Sequence, residues 1–199
     1  MLALKPRGLA RQVLGDSPQV LTDVLQDGIN MAVWQRHLPA HIEDFARALL
    51  SLGQPLAESF TLELDATGEV APLQSLAAGY ADLQGHAGFV ADVTWLIGAY
   101  ACLLDARRVG VRLQVLDGAM CPRFHVDHVP VRLITTYAGP ASEWLATPQS
   151  REVRQLASGD VALLKGEKWL GNEGAGLVHR SPQLPEGQRR LILTLDWMA

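Results

Sequence analysis

Near residue 109 the chain changes its rhythm. Downstream lie short β-rich runs separated by Gly, Pro and Asp: VGVRLQVLDG, PRFHVD, VRLITTYAG, SEWLA, DVALLKG, GLVHRS and RRLILTLDW. About seven short strands in some ninety residues, with turn residues between them, predict an antiparallel sandwich or jelly roll. Upstream the pattern is mostly helical. Val33, Trp34, Leu38, Ile42, Phe45, Ala46 and Leu49 recur mostly at three- and four-residue steps, which predicts a helix over residues 31–53. Pro39 fits a start or break in it and Gly53 a stop. Residues 57–72 alternate around Phe60, Leu62 and Leu64 and then carry turn chemistry at Asp65–Gly68. Residues 17–30 fit a short helix or strand closed by Gly28, and residues 73–106 a second helical block with a break at Gly85. The expected fold class is α+β, in a single domain over residues 1–199. Residues 1–108 would form a mainly helical support region. Residues 109–199 would form the jelly-roll core, with the helices packed on one of its faces.

A chain of 199 residues, 48% hydrophobic and 19% charged, can bury a proper core and lacks the composition of a disordered protein. A net charge of −4 and the lack of a basic stripe argue against nucleic-acid binding. Two cysteines and no CxxC make no disulfide framework, and a reducing cytoplasm is the expected compartment. Lys5, Arg7 and Arg11 precede the first acid, Asp16, which is mildly like a transit peptide. The segment lacks a secretory apolar run, so an ordinary N-terminus is expected. The most apolar window, residues 87–106, contains Asp92 and Asp105. It is expected to be a buried helix rather than a membrane span, with Cys102 in its core.

The β half carries the candidate chemistry. His125 and Asp127 lie two apart, and on a strand that spacing puts both side chains on one face. His179 lies at the end of the probable strand GLVHRS, and Arg189 and Arg190 begin the last strand. Two imidazoles and one carboxylate on one face leave three positions open on an octahedral metal. Non-haem iron(II) oxygenases need that arrangement, because a bidentate co-substrate and dioxygen must both bind. Alternation turns one of the two arginines inward, where a guanidinium is costly unless it holds an anion such as a carboxylate.

Other residues compete for roles. Cys121 with His125 and His128 is a rival set that would favour zinc, although its spacing fits no common zinc pattern. Alternation places His128 opposite the ligand face. It places Arg132 there too, unless a bulge at Pro130 breaks the register. Trp144 is either a core residue or a platform for a substrate. His37 and His41 have a helical metal spacing, but Pro39 between them and the lack of a carboxylate partner favour a solvated or capping role.

With these residues in hand, the β half resembles the double-stranded β-helix of the iron(II)/2-oxoglutarate dioxygenases. The resemblance implies a metal triad of His125, Asp127 and His179. It implies that Arg190, in RLILTL, anchors the far carboxylate of 2-oxoglutarate, with Arg189 as runner-up. Tyr137 would lie where a co-substrate-contacting tyrosine can sit. More narrowly, FHVDHVPVRLITTYAGPASEWL resembles a bacterial family known only as domain of unknown function 1826, which is associated with zinc-handling genes. The expected activity is an iron(II)- and 2-oxoglutarate-dependent oxidation of an unknown small-molecule or protein substrate. The alternative is a non-catalytic metal-binding protein, serving zinc homeostasis or sensing, with Zn(II) in the same site. Neither nucleic acid nor membrane is an expected partner.

Overall fold

The computed structural model describes residues 10–64, 70–71 and 73–198. The expected turn at Asp65–Gly68 and the basic start around Lys5 and Arg7 lie outside the described residues. The chain runs through β1 (Arg11–Gly15), a 3-10 helix over Pro18–Leu25, β2 (Ile29–Trp34), α1 (Ala40–Ser51) and β3 (Ala57–Glu63). A short 3-10 turn at Ala78–Tyr80 then leads into α2 (His86–Leu104). The remaining strands are β4 (Arg108–Leu116), β5 (Val131–Ala138), β6 (Glu143–Leu145), β7 (Val153–Gln155), β8 (Val161–Lys165), β9 (Val178–Arg180) and β10 (Arg190–Trp197).

The strands form two sheets. Seven of them order as β1-β2-β8-β5-β10-β4-β3, and three as β7-β6-β9. Every pair is antiparallel except β1 with β2. The central strands are apolar on both faces and divide their side chains between two cores, as a two-residue period requires. Val131 and Leu133 of β5, Val161 and Leu163 of β8, and Leu191, Leu193 and Leu195 of β10 join the cluster that contains α1 and α2. Ile134, Ala162, Leu164 and Ile192 join Met31, Val33, Trp144 and Leu177 in a second cluster between the two sheets. Each fully buried side chain of this size contributes about 1.5–3 kcal/mol.

Helix α2 is long and apolar enough to cross a membrane, with a hydropathy of 1.6. In the fold it is a core helix: Phe89, Val93, Leu96, Ile97, Tyr100 and Leu104 are buried in the first cluster. Polar contacts fix its seat. The Arg36 guanidinium donates to both Asp92 oxygens at 2.7 and 3.0 Å, and the Tyr100 hydroxyl donates to the Val131 carbonyl at 2.8 Å.

Four local expectations need correction. The helix expected over 31–53 is a strand followed by a shorter helix. Met31 and Val33 point between the sheets while Ala32 points to the helices, a period of two, and Pro39 holds an extended ψ of 139° just before α1 begins. Residues 1–108 are therefore more than a helical support, since β1, β2 and β3 complete the larger sheet. PRFHVD is not a strand, and its regular pairing is a single bridge between His125 and His179. Cys102 is exposed on α2 rather than in the core.

Candidate metal centre

His125 and His179 meet through that bridge. Each donates its backbone N–H to the other's carbonyl at 3.0 Å, which sets the two rings side by side with centroids 4.7 Å apart. The Nδ1 of His125 lies 2.9 Å from the Arg123 carbonyl, and that of His179 lies 3.4 Å from the Leu177 carbonyl. A carbonyl only accepts, so each Nδ1 carries the proton and each Nε2 presents its lone pair. Burial pushes the pKa of His179 down, Asp127 pulls it up, and His125 adds to the lowering. The net shift favours the neutral imidazole that a metal needs.

Asp127 arrives from an irregular strap, residues 126–130, after the bridge. Its backbone carbonyl accepts the Glu167 N–H at 2.9 Å. Gly166 makes that contact feasible: a Cβ there would stand 2.2 Å from the Val129 oxygen and 2.4 Å from the Asp127 oxygen. The side chain is thereby aimed at the histidines. Its Oδ2 lies 3.3 Å from the Nε2 of His179 and its Oδ1 3.6 Å from the Nε2 of His125. The three ligand atoms all lie within 4.8 Å of one another. Asp127 Oδ2 is buried with no hydrogen-bond partner among the described residues, which is costly unless something positive binds it. Two imidazoles with their Nδ1 atoms tied to carbonyls, and an orphaned carboxylate oxygen, fit a divalent transition metal. No other group of three metal-capable side chains comes together among the described residues.

The last strand sets the far end of the inter-sheet space. Arg190, Ile192, Thr194 and Asp196 share one face of β10, opposite the leucines. The Arg190 side chain is 0% exposed. Its Nη2 donates to the hydroxyls of Thr136 and Ser142 at 3.3 and 3.1 Å, while Nε and Nη1 have no partner among the described residues. Burial lowers its pKa to about 10. Gly139, at φ +83°, lets β10 approach, since a Cβ there would lie 2.2 Å from the Arg189 carbonyl oxygen.

The other candidates fall elsewhere. Arg189 is half-buried and lines a surface groove with Arg47, Ser51 and Gly53, away from the inter-sheet space. Tyr137 faces the helices: its hydroxyl donates to Asp92 Oδ2 at 2.6 Å and its ring packs on Phe89, so the expected co-substrate contact is corrected. Alternation explains this, because Tyr137 shares its face with Val131 and Leu133. Cys121 is exposed, and its backbone pairs with Ser181, outside the triad. His128 is 75% exposed beside Glu167. The Cys121–His125–His128 set therefore does not assemble. Trp144 is buried directly across β6–β9 from His179, as part of the inter-sheet core.

Arg132 is not opposite the ligands. The irregular strap resets the register, and its Nη1 donates to Asp127 Oδ1 at 2.7 Å. Asp196, which no sequence argument had singled out, holds the same guanidinium. Its signal was its place six residues after Arg190 on one face of one strand.

Structures of the same shape come from oxygenases. The rice dioxygenase for auxin oxidation superposes with a TM-score of 0.55 at 12% identity, covering 96% of this chain and 83% of that one. The dioxygenase for auxin oxidation 1 of Arabidopsis thaliana, in its 2-oxoglutarate binary complex, gives 0.55 at 10% identity, with 96% and 93% covered. The fold is thus the jelly roll, or double-stranded β-helix, that these dioxygenases share, a mixed α and β architecture with few helices and a large sheet. No curated protein matches the chain. Residues 15–196 match the family described as protein of unknown function, DUF1826, and the chain belongs to that family.

Proposed function

We propose that this protein is an iron(II)- and 2-oxoglutarate-dependent oxygenase, with His125, Asp127 and His179 holding the metal and Arg190 anchoring the co-substrate. The observation that carries the reading is the Arg190 guanidinium, wholly buried without an acidic partner, on the face of β10 that lines the inter-sheet space. A buried cation of this kind is stable only opposite an anion, and its free Nε and Nη1 edge suits the two oxygens of a carboxylate. Thr136 and Ser142 orient the guanidinium by accepting from Nη2. The carbonyls of Arg123 and Leu177 keep the Nε2 lone pairs of both histidines available. His125, 34% exposed, is the ligand nearest solvent and marks the side from which a substrate would approach. Bound there, iron(II) and 2-oxoglutarate supply dioxygen activation coupled to oxidative decarboxylation, and the protein supplies geometry and exclusion of water. Two cysteines and no disulfide fit a reducing, cytoplasmic setting.

Equilibrium binding of 2-oxoglutarate to the metal-loaded protein tests the assignment. Arg190→Met should abolish binding while leaving metal uptake intact, and Arg189→Met should change neither. Tight zinc uptake with no response to 2-oxoglutarate would instead identify a metal-binding protein without oxygenase chemistry.

A further inference from the structure

Arg132 touches the carboxylate ligand and is itself gripped. Its Nε and Nη2 donate to Asp196 Oδ1 and Oδ2 at 2.7 and 2.8 Å, a two-pronged pairing of guanidinium and carboxylate. The two residues are direct cross-strand partners in the β5–β10 register. The remaining prong, Nη1, donates to Asp127 Oδ1 at 2.7 Å. All three side chains are largely buried, at 18% exposure for Arg132, 10% for Asp127 and 16% for Asp196. The arrangement divides the Asp127 carboxylate into two unlike oxygens. One is occupied by Arg132, and the other, Oδ2, is left without a partner among the described residues, 3.3 Å from His179 Nε2.

We propose that Arg132, fixed by Asp196, is a positioning residue that keeps Asp127 a one-oxygen ligand of the bound metal. The proposal rests on the triad being a metal centre and extends it to the number of positions the protein fills. A carboxylate free to swing can take a metal through both oxygens. With two imidazoles that would fill four of six octahedral positions and leave too few for a two-pronged co-substrate and dioxygen together. With Oδ1 held by Nη1, the protein fills three. Asp196 also settles the charge. Arg132 alone would neutralise Asp127 and weaken its hold on a dication, whereas the three side chains together keep one net negative charge. The fork matters more than the charge, because a lysine ammonium is a point donor that cannot span both carboxylates in fixed geometry.

Difference infrared spectroscopy of zinc-loaded against metal-free protein, with carbon-13-labelled aspartate, reads the binding mode. A one-oxygen carboxylate ligand shows a wide gap between its antisymmetric and symmetric stretches, and a two-oxygen ligand a narrow one. The expected result is a wide gap in the wild type and a narrow one in Arg132→Met/Asp196→Leu, which removes both members of the pair and strands no buried charge at either. Arg132→Lys should narrow the gap too, and serves as the readout if the double variant fails to fold. A gap equally wide in the variants, with zinc still bound, would reduce the pair to a tie between β5 and β10 and overturn the positioning role alone. A wild type that takes up no zinc would overturn that role together with the metal centre beneath it.

Discussion

The Arg190 guanidinium sits wholly inside the protein with two nitrogens unpartnered among the described residues, and burial lowers its pKa to about 10. Its folded pKa is below the unfolded value, so the unfolded chain holds this proton more tightly. The burial penalty is therefore fully present at neutral pH, and it is relieved only as pH rises through the folded pKa. Arg190→Met keeps similar bulk and removes the charge. It should stabilise the metal-free protein by about 1–4 kcal/mol in urea unfolding, the range in which apolar replacement of buried charged groups falls. A destabilised variant would mean that Arg190 already has its partner within the fold. At this scale the sequence named His125, Asp127 and His179, whose ligand atoms the fold brings within 4.8 Å of one another, and Arg190, which the fold buries. It left Arg132 open between two faces, and the irregular strap at 126–130 breaks the alternation as a bulge at Pro130 would. Tyr137 was misplaced because β5 is apolar on both faces, so the sequence did not tell which face, that of Val131 and Leu133 or that of Ile134, meets the helices.

Among the elements, the strap that carries Asp127 depends on a close approach of two backbones. The Gly166 N–H donates to the Pro130 carbonyl at 2.9 Å, and a Cβ at Gly166 would press on the carbonyls of Asp127 and Val129. Gly166→Ala should displace the strap, cost about 1–3 kcal/mol of stability as overpacking does, and weaken metal binding about 10- to 100-fold. Gly118→Ala, with nothing within 4 Å of the new Cβ, is the matched control and should change neither. Thermal unfolding and metal titration of the two variants, side by side, check this, and equal behaviour would remove the strap from the account. Most strands of the β half could be read in advance, because Gly, Pro and Asp bound each run. Strand β2 was hidden because Trp34 stands four and eight residues before Leu38 and Ile42, helical steps that run across Pro39 and made a strand and a helix look like one element. Strand β7 is three exposed residues, too short and polar to leave a pattern.

For the whole molecule, the consequence of three early strands joining the larger sheet is a division of labour between two cores. The first cluster, between the larger sheet and α1 and α2, is made of aliphatic and aromatic side chains and supplies most of the burial. The second, between the sheets, is smaller and is bordered by the buried polar groups of the site: Asp127, Thr136, Ser142, His179, Arg190 and Thr194. Most of the apolar burial lies in one layer, and the unpartnered polar atoms of Asp127, Arg190 and Thr194 lie beside the other. The central claim is that His125, Asp127 and His179 form a metal centre sharing that inner space with Arg190. The most direct test is anaerobic titration of the metal-free protein with iron(II) and 2-oxoglutarate, followed by visible absorbance. The account predicts an iron-to-2-oxoglutarate charge-transfer band in the wild type and none in His179→Ala. A wild type that takes up iron(II) but develops no band, or a band that survives in His179→Ala, would contradict it.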